Sequence, residues 1–524
     1  MTPSSLQDPQ EHPLYTLARN VSTRYVLIVT NVLIGLVMLR FNVQHLGPET
    51  YGLWMLAASI TAYFTVLDFG FGSAVVRYVA EFRVRRDVRA LNETLSTMAA
   101  VFTGLGVLCV AAAVVFAVLL PYVFNVAPDQ VQTGRIVLLL AGLQVGLYFP
   151  FGIYGGVING FERYYVNNVV GLLTNVTVAL VNAAVLLLDY GLIELVACTT
   201  VLRILPLWAY RWNAYRVFPE LRIRWRDVRR ERVRELSGFS VYVGVSDWST
   251  RLTYATDAFF LGIFVNTVAV AIYAVAQRIT DTLLNLTQQL HTFMMPAIVH
   301  RAVEGDRARQ LSLFVRVTRL QLATAMCVCG LVAALAGTLI ETWLGPGWQA
   351  SVLVTQILAA VVVLRAAVAM PTTLLQGTGA HIAVALFSAG GAVANLILSV
   401  LFVRVWGVVG IAAATLVASS VVAVLVFPRS CQAVGLTAAS GCQAIVVPAV
   451  WPALVATSWV VWVQSQLSHG VLSVLLTLLG GGIIYALLFL SFGIDADERR
   501  WLRVAGRRLL PAPQLAAGEV VRLP

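Results

Sequence analysis

Residues 98–120 read MAAVFTGLGVLCVAAAVVFAVLL. No charge interrupts the run, and at about 1.5 Å per residue it is long enough to cross a bilayer core, which needs about 20 apolar residues in a helix. Working outward, runs of this kind recur from end to end. Candidate spans begin near Tyr25, Tyr51, Leu95, Ile136, Tyr165 and Leu192, and again near Phe239, Val268, Leu313, Val352, Ile382, Val408, Ala444 and Val471. The expected fold class is therefore an all-α polytopic membrane protein with about 14 transmembrane helices. Composition agrees: apolar types make up 59% of the 524 residues and charged types 12%, against roughly 45–50% and about 25% in soluble domains. Mean hydropathy is +0.82. A soluble enzyme, a secreted disulfide scaffold and a nucleic-acid-binding domain are all excluded, because no charged skin is available.

The net charge is +11, and all 36 basic residues are Arg. Their positions matter more than their number. Arg83, Arg85, Arg86 and Arg89 form one cluster, nine Arg lie between Arg211 and Arg234, and Arg301, Arg307 and Arg309 form a third. A fourth runs from Arg499 to Arg508. All follow even-numbered spans, whereas the loops 44–50, 121–133 and 464–469 carry no Arg. The positive-inside bias then places both termini in the cytoplasm. The polar segment Met1–Arg19 shows no cleavable signal, so the first span is expected to stay in the membrane. The six Cys lie in or beside apolar runs without metal-site spacing. Outside loops are short, which counts against a membrane glycosyltransferase or polymerase.

The second half echoes the first. Pro150, then Asn159-Gly160, is matched by Pro371, then Gln376-Gly377, and Gly191 is matched by Gly407. Tyr51-Gly-Leu-Trp54 is likewise matched by Tyr273-Ala-Val-Ala276. Offsets near 216–222 correspond to six spans, an even number, so the halves are expected to be parallel repeats around a central cavity. The expected division is an N-terminal lobe over 1–210, a basic linker over 211–236 and a C-terminal lobe over 237–428. An extra helix pair over 429–492 and a cytoplasmic tail over 493–524 complete it.

Ionisable groups inside spans are costly and usually face a cavity or a partner. Span one carries Arg24, Asn31, Gly35 and Asn42 on one face, and span two carries Asp68, Arg77 and Glu81. Span seven carries Asp247, Arg251 and Asp257, with Asp247, Arg251, Tyr254 and Ala258 at helical spacing. Span eight carries the polar stripe Arg278, Asp281, Asn285, Gln288, Gln289 and Thr292, and span ten carries Arg365. Structural readings stand beside these. Arg24, Arg77 and Arg203 can snorkel to the inner interface. Asp247 with Arg251, and Arg278 with Asp281, can be neutralising pairs that fix helix packing. His291 reads as a packed polar group rather than a proton relay. Taken together, Arg24, Asn31, Arg251, Arg278 and Arg365 are the candidate cavity residues, and Arg in such a cavity suits phosphate or pyrophosphate. Asp247, Asp257 and Asp281 are the ion-coupling candidates.

The run from His45-Leu-Gly-Pro-Glu-Thr-Tyr-Gly-Leu-Trp54 through Leu67-Asp-Phe-Gly-Phe-Gly-Ser-Ala-Val-Val-Arg-Tyr-Val-Ala-Glu81 resembles the first two helices of bacterial polysaccharide flippases. These are the O-antigen and exopolysaccharide unit translocases of the multidrug/oligosaccharidyl-lipid/polysaccharide exporter superfamily. The resemblance covers spans 1–12 in layout, with sharp motifs in roughly residues 40–90. It implies a V-shaped pair of lobes, with spans 1, 2, 7 and 8 lining the cavity. It also implies transfer of lipid-pyrophosphate-linked sugar units from the inner to the outer leaflet. The count of 14 helices resembles the lipid II flippase branch, in which the extra pair forms a groove for the lipid tail.

The expected partners are a polyprenyl-pyrophosphate-linked sugar, membrane lipids, H+ or Na+ as coupling ion, and polysaccharide assembly proteins, with no nucleic acid and no cofactor. Alternating access without a chemical step, driven by the membrane potential or a coupled ion, is the expected mechanism; no Walker sequence points to ATP. The rival readings are a cation-coupled multidrug antiporter, a membrane-embedded glycosyltransferase or polymerase, and a non-transporting scaffold.

Overall fold

The computed structural model describes residues 13–67, 71–229, 231–233, 256–303, 307–467, 470–494 and 499. Asp68, Asp247 and Arg251 lie outside the described residues. The described chain is helical throughout, with no strand. The helices are α1 (Pro13–Val66), α2 (Phe71–Arg85), α3 (Val88–Val123), α4 (Val131–Gly160), α5 (Tyr164–Leu187), α6 (Leu192–Val217) and α7 (256–264). Then follow α8 (Thr267–Val303), α9 (Arg307–Leu344), α10 (Gln349–Gly377), α11 (His381–Ala433), α12 (Ala438–Gly441), α13 (Val447–Gln464) and α14 (Val471–Leu488).

Among the described residues, ten helical stretches are long and apolar enough to cross a membrane. Two of these contain a break and count as two spans each. In α1 the break is at Gly47, whose φ of 75° suits a residue without Cβ, and Pro48 then opens the second limb, where its missing N–H costs nothing. In α11 the break is at Gly407, with φ 55°. Adding the end of α7 and the polar α8 gives the layout of spans expected from the sequence.

The internal repeat is visible in the helix boundaries. Helices begin at 88, 131, 164 and 192 in the first half, and at 307, 349, 381 and 408 in the second, where 408 opens the second limb of α11. The offset drifts only from 219 to 216. The turn conformations repeat too: Glu162 (φ 62°) corresponds to Gly379 (φ 89°), and Asp189 (φ 58°) lies two residues before Gly191, the equivalent of Gly407 (φ 55°). Each pair reverses the chain after the fourth or fifth span of its half.

Apolar helices have no hydrophobic reason to associate in lipid, so close packing must hold them. α4 supplies it with small residues. A Cβ on Gly146 would press on the Gly106 carbonyl of α3, and one on Gly156 or Gly160 would meet Val75 or Val79 of α2. α13 and α14 pack on α9, where Gly481 faces Leu331 and the Arg319 guanidinium donates to the Ala444 carbonyl at 3.5 Å. The basic linker is clamped to α3. Asn92 donates to the Glu220 carbonyl and accepts from the Arg222 amide, both at 2.9 Å, and the Arg224 and Arg229 amides donate to Ser96 and Thr97 at 3.1 Å.

The two halves meet tightly at the Arg-poor end. The Asn125 amide and side chain donate to the Gly262 and Ile263 carbonyls at 2.8 Å. Gly52 lies against the Thr267 carbonyl so closely that a Cβ there would overlap it. Phe259 of α7 is enclosed by Tyr63, Phe116 and Phe124, with ring centroids 5.2 to 6.4 Å away. Together these contacts form a seal.

Candidate functional site

Beneath this seal lies a cavity of about 800 Å³ between the halves. Its wall comes from both limbs of α1, from α5, α6 and α8, and from Ala258 of α7. The expected lining by spans 1, 2, 7 and 8 is thus joined by spans five and six.

Arg278 is the cavity's central cation. It sits 11 residues into α8, about 16 Å from the helix start and so near mid-membrane. Its guanidinium lies flat against α1 at Gly35, where any Cβ would collide with it. From there it donates to the Asn31 carbonyl at 3.1 Å. Asn31 is itself fixed by the Asn175 amide of α5, which donates to its Oδ1 at 2.8 Å. One residue therefore joins α1, α5 and α8. The Nε of Arg278 is buried without a hydrogen-bond partner among the described residues. Asp281 lines the same cavity one turn on, yet no ion pair within 4.0 Å joins it to Arg278 among the described residues. The neutralising pair allowed by their i, i+3 spacing is not formed. Arg278 itself lines the cavity, so a ligand there meets this residue.

The other sequence candidates divide as follows. Asn31 and Arg278 come together, with Asp281 beside them. Arg24 is exposed on α1, three turns or so from the end of that helix and outside the lining. Arg365 is half-buried in α10, has bonding partners of its own, and lines neither of the two cavities described in this section. Asp247 and Arg251 are outside the described residues.

Asp257 is buried behind the seal in α7. Tyr273 of α8 donates its hydroxyl to Asp257 Oδ2 in a short bond, while Oδ1 has no partner among the described residues. Thr415 neighbours the Tyr273 hydroxyl and donates at 3.3 Å to Asn395, which also accepts from Ser399. This makes a buried polar chain through spans seven, eight, eleven and twelve. Its neighbour Thr256 accepts from Tyr63 across the interface between halves at 2.8 Å.

A second cavity of about 580 Å³ lies inside the first half, walled by α2 to α6 and by Thr65. Thr65, Asn175 and Arg203 belong to both walls, so the two spaces adjoin. Arg203 is the functional candidate that sequence reading set aside as a snorkelling group. It sits 11 residues into α6 and 14 from its end, too deep to reach either interface.

A family model described as "Polysaccharide biosynthesis protein" matches residues 17–300. The chain belongs to that family. The matched region contains the first half, the linker, α7 and nearly all of α8, hence every residue of the central cavity. A relative in Bacillus subtilis (strain 168), "Uncharacterized membrane protein EpsK", is 21% identical over 335 residues, covering 63% of this chain. The match spans 66% of that relative's length. Among solved structures, "Lipid II flippase MurJ, inward closed conformation" superposes with a TM-score of 0.69 at 12% identity, over 88% of this chain and 97% of that one. An inward-facing multidrug resistance MATE family transporter of the MOP superfamily gives 0.64 at 14% identity, over 80% and 96%. These identities establish a shared fold. The fold is the one that the MurJ lipid II flippase and MATE transporter structures adopt.

Proposed function

We propose that this polysaccharide biosynthesis protein flips a lipid-pyrophosphate-linked oligosaccharide across the bacterial inner membrane by alternating access. The observation that carries the reading is Arg278: a guanidinium near mid-membrane, seated on Gly35, with no acidic group in ion-pair distance among the described residues and one N–H unbonded. Such a fork suits pyrophosphate, and in a low-dielectric cavity the attraction is screened little. With the Arg-rich loops cytoplasmic, the sealed Arg-poor end faces outward. The structure is then an inward-facing state, into which headgroup enters while its polyprenyl tail stays in the bilayer.

Coupling is assigned to Asp257. It is buried and half-satisfied, and it adjoins the Thr256–Tyr63 contact that helps seal the outer end. Binding of H+ or Na+ there changes the charge beside the seal. One elementary charge moved through the membrane potential is worth about 2.3 kcal/mol per 100 mV. Differential affinity of headgroup and ion for the two states then drives the cycle.

The test is a proteoliposome assay with a fluorescent farnesyl-pyrophosphoryl disaccharide. Wild type is expected to move it between leaflets and Arg278→Gln to lose most of that rate at unchanged reconstitution. A multidrug antiporter would instead carry cationic dyes equally well in both proteins, and that result would overturn the reading.

A further inference from the structure

We propose that the second cavity is a glycan chamber that takes an acidic sugar of the lipid-linked headgroup, with Arg203 binding its carboxylate; this rests on the pyrophosphate reading of Arg278. The chamber is contiguous with the central cavity, so a headgroup whose pyrophosphate sits at Arg278 has its sugars within reach of this space. Its volume of about 580 Å³ falls within the about 300–1,000 Å³ of small-molecule sites. Its walls combine aromatic rings, Tyr148 and Tyr210, with the amides of Gln144 and Asn175. A sugar ring presents an apolar face and a hydroxyl rim, and this lining offers surfaces for both. Gly152 leaves open space, with nothing within 4 Å of where a Cβ would stand.

The charge decides which sugar. Arg203 is exposed to the cavities, and neither a hydrogen bond nor an ion pair engages it among the described residues. Among the described residues, no Asp or Glu lines the second cavity. A cation held mid-membrane is costly and is normally partnered. Here no described residue of the wall provides the anion, and the cargo supplies it. The pyrophosphate already has Arg278, so the second anion is a carboxylate on the glycan. A neutral glycan would leave Arg203 unpaired in every loaded state.

Three probes separate a glycan carboxylate from the pyrophosphate as the anion at Arg203. They are farnesyl pyrophosphate, farnesyl-pyrophosphoryl cellobiose, and the same compound with glucuronic acid as the terminal sugar. Binding is measured on the full-length protein in nanodiscs, with thermal melting of each variant as the folding check. Wild type is expected to bind the glucuronate probe about tenfold more tightly than the cellobiose probe. Arg203→Gln brings that ratio to about one and leaves farnesyl pyrophosphate binding unchanged; Arg203→Lys keeps part of the preference. Gly152→Leu, which alters no charge, weakens both glycosylated probes and spares farnesyl pyrophosphate. A wild type that does not distinguish the two glycosylated probes overturns the proposal. So does equal weakening of all three by Arg203→Gln, since that assigns Arg203 to the pyrophosphate. Failure of the underlying reading looks different: Arg278→Gln would then bind farnesyl pyrophosphate as wild type does.

Discussion

Adding a single methyl group at Gly35 is a sharper test of the pyrophosphate seat than deleting Arg278. A Cβ at Gly35 collides with the Arg278 guanidinium. The arginine can only swing away, because α1 is pinned to α5 at Asn31 and Asn175. Gly35→Ala therefore keeps the charge in the protein and moves it off the seat. Two effects oppose each other in stability. Alanine in place of a helical glycine gains about 1 kcal/mol. Loss of the bond to the Asn31 carbonyl, a contact with a charged donor, costs about 1.5–3 kcal/mol. The net destabilisation is about 0.5–2 kcal/mol, a small shift in melting temperature. Binding suffers more, since an anion fitted to the seated guanidinium loses a charge-assisted contact of similar worth. With 1.4 kcal/mol per factor of ten, farnesyl pyrophosphate is expected to bind Gly35→Ala about tenfold or more weakly. The assay is titration of the purified protein alongside Arg278→Gln. Wild-type affinity in Gly35→Ala, with Arg278→Gln impaired, would refute the claim that contact with α1 positions the guanidinium. Wild-type affinity in both would remove the seat altogether.

Other outcomes follow from the same geometry. Gly52→Ala sets a methyl group against the Thr267 carbonyl, a backbone contact that no rotamer relieves, so the seal at the Arg-poor end should loosen. A cysteine placed at Asn125 in a cysteine-free background should then react severalfold faster with a membrane-impermeant maleimide, and an unchanged rate would count against the seal. Asp257→Asn removes the buried charge beside Thr256 but leaves the cavity intact. It is expected to abolish the dependence of flipping on an imposed H+ or Na+ gradient while farnesyl pyrophosphate binding stays the same; retained dependence would clear Asp257 of coupling. Asn92→Ala deletes both bonds that hold the linker at residues 220 and 222. At about 1 kcal/mol each, local detachment should rise about thirtyfold, read as faster proteolysis between Phe218 and Arg229; equal cleavage rates would show the linker held by other means.

The sequence carries the architecture in physical signals that act over one helix at a time. Apolar run length marks the spans, and Arg asymmetry separates the loops at the two ends. Gly47 before Pro48 marks the first reversal, and the Pro150/Pro371 echo marks a repeat that the matched turns at Glu162/Gly379 and near Gly191/Gly407 now make concrete. Two residues of the polar stripe of span eight, Arg278 and Asp281, line the central cavity. Facing, by contrast, is a property of pairs of helices. On helices as uniformly apolar as α10, nothing in the periodicity says that Arg365 turns away from the cavities. The absence of an Arg278–Asp281 ion pair is equally invisible, because it depends on Gly35 of another helix drawing the guanidinium aside. Arg203 was within reach of arithmetic. A span starting near Leu192 puts it about 17 Å deep at 1.5 Å per residue, at the middle of a core about 30 Å thick, where snorkelling fails.

The distribution of these groups between the halves bears on how transport would be coupled. The glycan chamber and most of the central wall belong to the first half, whereas Asp257, Tyr273, Thr415 and Asn395 form one chain within the second. Cargo and ion would therefore bind different bodies. They can influence each other only where the bodies touch, and two of these contacts lie beside the two sites. Tyr63 reaches Thr256, next to Asp257, and Arg278 reaches Asn31. α8 carries both Tyr273 and Arg278, five residues apart, so a shift of this one helix moves the partner of the coupling carboxylate together with the pyrophosphate seat. A ligand shifts a two-state equilibrium only by its differential affinity for the states. Pyrophosphate at Arg278 and an ion at Asp257 would each bias the position of α8. Reciprocity then requires that whatever factor the ion contributes to headgroup affinity, the headgroup returns to ion affinity. Measuring farnesyl pyrophosphate binding at several Na+ and H+ concentrations, and ion dependence with and without that probe, gives two estimates of one factor. Unequal factors would mean that binding at the two sites is not linked through a single shared conformational equilibrium.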